Sequence, residues 1–171
     1  MNRTWKLGDD VDTDQIVPGR FAPYMRPNDD VGDAAFIEAL PEFNKMAKPG
    51  DVIIAGDNFG CGSSREYAPL ALQRRGIAAI LARSYARIFY RNAINLGIPV
   101  FIEPTLVDLI DDNQSVVVDL ADGTIEVEGR VHRLQKLPEF AMRIIQAGGI
   151  AAYVRKSGEF PDVDTRQEPP P

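Results

Sequence analysis

Short apolar runs broken by glycine and proline, with no long amphipathic stretch, set the pattern of this chain. Residues 4–8 and 51–55 read as strands, the second a compact run (Asp51-Val52-Ile53-Ile54-Ala55) just after Pro49-Gly50. Residues 77–82 and 98–102 read as further buried strands. Between them the spacing predicts a helix over 65–75 stopped by Gly76. It predicts a second over 84–95, capped by Ser84 and ended by Gly97, with Tyr85, Ile88, Phe89 and Ile94 on its apolar side. Strand and helix alternate, which predicts an α/β fold with a parallel central sheet flanked by helices.

The remainder is less regular. Residues 17–33 carry Pro18, Gly19, Pro23, Pro27 and Gly32 and predict one long irregular loop, a length that in compact domains usually signals function or disorder. A short helix is expected over 34–48, interrupted near Pro41. Residues 115–120 and 124–127 flank Ala121-Asp122-Gly123, a hairpin signal added to the central sheet. A last helix over 138–147 ends at Gly148-Gly149. The chain then reads as a single domain over 1–155, with a polar, proline-bearing tail over 156–171 expected to fray.

Composition narrows the function classes. At 171 residues with 44% hydrophobic and 26% charged positions, the chain suits one globular domain. A net charge of -6 argues against a nucleic-acid partner. No apolar run approaches the ~20 residues of a membrane span. Met1 to Lys6 lacks an apolar signal core, so a cytoplasmic location is expected. One cysteine excludes an internal disulfide and an iron–sulfur cluster held by this chain's thiolates, and one histidine, His132, argues against zinc and reads as structural.

The candidate chemistry lies in Gly56-Asp57-Asn58-Phe59-Gly60-Cys61-Gly62-Ser63-Ser64-Arg65-Glu66-Tyr67-Ala68-Pro69. Backbone N–H groups, two hydroxyls and a guanidinium gathered before a helix suit an anionic ligand. Ser63-Ser64-Arg65-Glu66 also has the spacing of a capping box, a purely structural role. The two roles are compatible. A helix N-terminus favours negative charge by up to ~2 kcal/mol, too little by itself to make a serine alkoxide a ready base.

This stretch resembles, nearly residue for residue, the Gly-x-Gly-Ser-Ser-Arg-Glu signature of the swivelling domain of aconitase-type hydro-lyases, closest to the separate small subunit of the 3-isopropylmalate dehydratase and homoaconitase group. Tyr85-Ala86-Arg87-Ile88-Phe89 and Ala147-Gly148-Gly149 also resemble these subunits. The resemblance implies a β/β/α swivelling domain and a hydro-lyase, active only with a large subunit, that isomerises a 2-alkylmalate-type acid by dehydration and rehydration. It implies 3-isopropylmalate dehydratase of leucine biosynthesis, with homoaconitase or a methylmalate-type dehydratase as the alternative. By motif, Ser63 is the catalytic base, and Ser64 and Arg65 bind substrate. The family's [4Fe–4S] cluster is expected on the large subunit and not on this chain. The other partner is a small di- or tricarboxylic acid, and the isolated chain could form a homo-oligomer.

Two further segments carry candidates. Asp9-Asp10-Val11-Asp12-Thr13-Asp14-Gln15-Ile16 invites a calcium reading, but an EF-hand loop counted from Asp9 would need glycine and glutamate where Asp14 and Arg20 stand. A solvated acidic turn is the plain reading. The resemblance makes Asp14 a residue of the active site, orienting an arginine or serine. In Phe21-Ala22-Pro23-Tyr24-Met25-Arg26-Pro27, an arginine in such a loop is ordinarily just exposed. In the family this loop meets the variable end of the substrate, where Tyr-Leu-Arg accompanies a distal carboxylate and apolar residues accompany isopropylmalate. Arg26 is thus a candidate substrate residue, since a guanidinium matches a carboxylate in a two-point fork. Cys61 reads as a small residue in a tight loop. Arg83, Arg87 and Arg91 recur every four residues and, with Arg74 and Arg75, suggest a solvated or interface face. Rival readings are a stand-alone anion-binding module, weakened by the missing Gly-Lys-Ser/Thr of a P-loop, and an RNA-binding regulator.

Overall fold

The computed structural model describes residues 2–26 and 28–162. Four strands, β1 (Thr4–Lys6), β2 (Val52–Ala55), β3 (Ala79–Ala82) and β4 (Val100–Ile102), form an all-parallel sheet in sequential order. Their pairing aligns Ile53 with Ile80 and Ile80 with Val100, so each residue set keeps to one face. Ile53, Ala55, Ile80, Ala82 and Val100 enter one core, and Val52, Ile54, Ala79, Leu81 and Phe101 enter the other. Strands buried on both faces read as continuous apolar runs, and these do.

The first core is covered by helices α3 (Tyr67–Arg74), α4 (Arg87–Leu96) and α6 (Glu139–Ala147), after the shorter α1 (Thr13–Ile16) and α2 (Pro41–Met46). The second is closed by α5 (Pro104–Leu109) and a three-stranded antiparallel sheet of β5 (Val116–Asp119), β6 (Thr124–Val127) and β7 (Arg130–Arg133). The result is the expected layering of sheet, sheet and helices, ending in α7 (Ile150–Ser157). Among the described residues no helix is long and apolar enough to cross a membrane.

An acidic hub ties the sheet edge together. Asp51 is buried and accepts from the Arg3 N–H at 3.0 Å, the Trp5 indole Nε1–H at 2.9 Å and the Lys48 N–H at 3.1 Å. The Arg3 guanidinium lies 4.0 Å over the Trp5 ring, which covers the same corner.

Several elements depart from expectation. The helix expected from residue 65 begins at Tyr67, because Pro69 has no N–H to bond the Arg65 carbonyl and fits only in a first turn; the first helical bond is Leu70 N–H to the Glu66 carbonyl, 2.9 Å. Ser63 and Glu66 therefore form no capping box. Ser84 caps nothing either, since α4 begins at Arg87 behind Ala86. The expected loop over 17–33 contains two 3-10 turns, Gly19–Phe21 and Val31–Ala34. Helix α7 carries regular structure two residues past the expected boundary at 155 and stops at Gly158, φ 79°. The rest of the expected tail, residues 163–171, lies outside the described residues.

Candidate active site

Three loops leave the carboxyl ends of β1, β2 and β3 and meet above the sheet, where open α/β sheets bind ligands. The β1 loop is fixed by a capping box that the sequence carries at Asp12-Thr13-Asp14-Gln15. Asp12 accepts from the Gln15 N–H at 2.8 Å, and Gln15 Oε1 accepts from the Asp12 N–H at 2.9 Å. The acidic turn is thus the start of α1. The β2 loop is laced to it: Gly60 N–H to the Val11 carbonyl at 2.7 Å, Thr13 N–H to the Cys61 carbonyl at 2.8 Å, and Ser63 N–H to Thr13 Oγ1 at 2.9 Å.

The β3 loop completes the frame. Ser84 Oγ accepts from the Asn58 N–H at 2.8 Å and donates to Asp57 Oδ1 at 3.0 Å, while Asn58 Nδ2 donates to Asp10 Oδ1 at 2.8 Å. Gly60, at φ 78°, is required twice over. Its conformation disfavours side chains, and a Cβ there would stand 2.1 Å from the Phe89 ring.

Within this frame Ser63 and Arg65 come together. Half-buried Ser63 Oγ accepts from Arg65 Nε at 3.0 Å and from the Arg65 backbone N–H at 3.3 Å. The Arg65 Nη1 donates to the Tyr24 hydroxyl at 2.8 Å, and the guanidinium carbon lies 5.5 Å from the Tyr24 ring and 5.3 Å from the Tyr67 ring. A guanidinium has five N–H donors, so three remain for a carboxylate. Because α3 starts four residues after Ser63, its dipole acts weakly there. Arg65 is the nearer positive charge able to favour an anionic Ser63.

The other candidates are placed differently. Ser64 is exposed, and its carbonyl accepts from buried Asn92 Nδ2 at 3.2 Å. Asp14 is exposed on α1 and, among the described residues, makes no side-chain hydrogen bond or ion pair with an arginine or serine. Arg26 is not drawn to Arg65. It stands 4.7 Å over the Phe21 ring and 3.5 Å from Asp29 Oδ2, with both partners of that pair exposed. The arginine group divides: Arg83 pairs with Asp108 and Asp9 ahead of α4, Arg75 reaches the Asn44 carbonyl and Asp33, and Arg87 and Arg91 stay exposed.

Two tyrosines were not assigned from sequence. Tyr24 reaches Arg65 across 41 positions of chain, and no local pattern marks such a contact. Tyr67 is buried against the same site. Burial pushes its phenol above the ordinary range, Arg65 opposes that shift, Asp14 and Tyr24 reinforce it, and neighbouring Ser63 opposes it.

Cys61 does not fit a cluster. Burial, then Asp12 and Asp10, push its thiol upward, which keeps it protonated near neutral pH. A [4Fe–4S] cluster takes three or four thiolates, and the chain has one cysteine. Among the described residues no three His, Cys, Asp or Glu side chains gather to hold a metal.

Comparison with known proteins agrees with this architecture. The family model described as the aconitase C-terminal domain matches residues 11–103. The 3-isopropylmalate dehydratase small subunit 1 of Methanopyrus kandleri is 46% identical over 158 residues, covering 91% of this chain and 92% of its own length. The homoaconitase small subunit of Thermus thermophilus is 44% identical over 161 residues, covering 94% and 99%. A crystal structure of 3-isopropylmalate dehydratase from Methanocaldococcus jannaschii matches with a TM-score of 0.80 at 42% identity, covering 92% of this chain and 93% of that one.

Proposed function

We propose that this chain, which belongs to the aconitase C-terminal domain family, is the small subunit of a heteromeric hydro-lyase of the 3-isopropylmalate dehydratase type. Relatives matched over nine-tenths of the chain carry that name, and a small subunit implies a large one. The reaction is dehydration of a 2-alkylmalate-type acid to an alkene, then rehydration with the hydroxyl on the neighbouring carbon.

The observation that carries this reading is the Ser63–Arg65 pair at the carboxyl ends of three parallel strands. Ser63 takes the proton from the carbon next to a substrate carboxylate. Arg65 favours the anionic form of that base and offers its remaining donors to the carboxylate. Ser64 adds a hydroxyl to the same anion, and Asp14 contributes negative charge at the rim. The family's cluster, for which this chain lacks ligands, is assigned to the large subunit.

A second substrate reading has its own support. Arg26 stands exposed in the loop over 17–33, and a homoaconitase small subunit is nearly as similar as the isopropylmalate relatives. A guanidinium there suits a distal carboxylate. Assay of the chain reconstituted with its large subunit against isopropylmalate, homocitrate, citrate and dimethylmalate tests both readings. Turnover of none of them contradicts the hydro-lyase reading, and the preferred acid decides the substrate class.

A further inference from the structure

Residues 62–65 carry the candidate base and belong to no strand or helix. Among the described residues their N–H and carbonyl groups make no backbone–backbone hydrogen bond. Two side chains from outside the segment hold its main chain instead. Thr13 Oγ1 accepts from the Ser63 N–H at 2.9 Å, and Asn92 Nδ2 donates to the Ser64 carbonyl at 3.2 Å. Thr13 also donates its own N–H to the Cys61 carbonyl at 2.8 Å, so it grasps the chain on both sides of Gly62. Gly62, at φ 101°, allows that reach, because a Cβ there would stand 3.1 Å from Thr13 Oγ1.

Burial sets both residues apart. Tyrosine and tryptophan aside, the polar residues buried in the described fold are Thr4, Thr13, Asp51 and Asn92. Thr4 and Asp51 fasten the amino ends of β1 and β2, away from the site: Thr4 donates to the Asp111 carbonyl at 2.7 Å, and Asp51 is the hub above. A buried polar group is unfavourable unless it is hydrogen-bonded. Valine and leucine have nearly the shapes of threonine and asparagine and would fill these interiors without that cost. We propose that Thr13 and Asn92 are positioning residues for the reaction, fixing the main chain on either side of Ser63-Ser64 so that the Ser63 oxygen keeps its reacting geometry. Neither touches the substrate, and no covalent bond changes at either. Arg65 has an anchor of its own, since its Nη1 donates to Tyr24. Loss of the grip therefore displaces Ser63 more than the guanidinium that receives the carboxylate. A misplacement of about 1 Å costs on the order of 100-fold in rate, so the effect falls on kcat rather than on KM. This inference rests on the hydro-lyase reading above.

The test compares wild type, Thr13→Val, Thr13→Ser, Asn92→Leu and Ser63→Ala, each reconstituted with the large subunit, with kcat referred to assembled enzyme. Thr13→Val is expected to lower kcat by about 10- to 100-fold, with KM within about threefold of wild type. Thr13→Ser keeps the accepting oxygen and should stay within about threefold of wild type in both. Asn92→Leu should repeat the loss seen for Thr13→Val, and it carries the test if Thr13→Val does not assemble. A kcat loss smaller than about tenfold in either assembled variant, a KM that rises in step with the loss, or a Thr13→Ser enzyme as impaired as Thr13→Val overturns the inference. Failure of both Thr13→Val and Asn92→Leu to assemble overturns it too, since their role is then structural. Ser63→Ala turnover above about a tenth of wild type overturns the base assignment and this inference with it. Absence of turnover from wild type overturns the hydro-lyase reading as well.

Discussion

The Arg65 guanidinium donates to the Tyr24 hydroxyl at 2.8 Å. Its Nε meanwhile donates to Ser63. One cation therefore links the loop over 17–33 to the candidate base, and a change in either is felt by the other. Tyr24 is itself 61% exposed, so the link lies at the mouth of the site, where a docking subunit or a substrate can reach it.

Removing that hydroxyl loosens Arg65 without removing its charge. Tyr24→Phe is expected to lower kcat/KM by roughly 3- to 10-fold, below the full worth of a charged hydrogen bond because the pair is exposed. Steady-state kinetics of the reconstituted enzyme checks this, and an unchanged kcat/KM would mean that Arg65 needs no support from the loop.

Arg26 addresses specificity. Its present pair with Asp29 is exposed and worth at most about 1 kcal/mol, so a substrate carboxylate can displace it. Arg26→Val should penalise acids with a distal carboxylate by roughly 10- to 150-fold in kcat/KM and spare isopropylmalate. An equal loss for both classes would reduce Arg26 to a general carboxylate clamp or a structural residue.

Stability should depend on Asp51 far more than on any site residue. Asp51→Ala orphans the Trp5 indole N–H and two backbone N–H groups, a cost of about 2–4 kcal/mol. Trp5 is the only tryptophan and sits on the hub, so its fluorescence reports the transition directly. An urea midpoint equal to that of the wild type would contradict the role given to the hub.

What the sequence revealed followed from local rules. The apolar runs at 52–55 and 79–82 were legible as buried strands because every position faces a core. The motif at Ser63-Ser64-Arg65 was legible by resemblance. The two misplaced helix starts share one cause: serine side chains that look like caps are taken up by other hydrogen bonds instead. Ser84 braces the Asn58 turn, and Ser63 is held by Arg65. Pro69 carried the warning that α3 starts late, and Asp12 with Gln15 carried an unread capping box. Helix α5 was signalled by Glu103-Pro104 and went unassigned. Tyr24 and Tyr67 had no local signal, since their importance lies in contacts made only after folding.

The central claim is that Ser63 is the base. The structure frees its hydroxyl from helix capping, so Ser63→Ala should leave stability within about 1 kcal/mol of wild type. The decisive measurement is kcat of the Ser63→Ala chain reconstituted with its large subunit on the preferred acid. Loss of at least a thousandfold, with the melting temperature unchanged, is the predicted result. Retention of a tenth or more of wild-type kcat would contradict it.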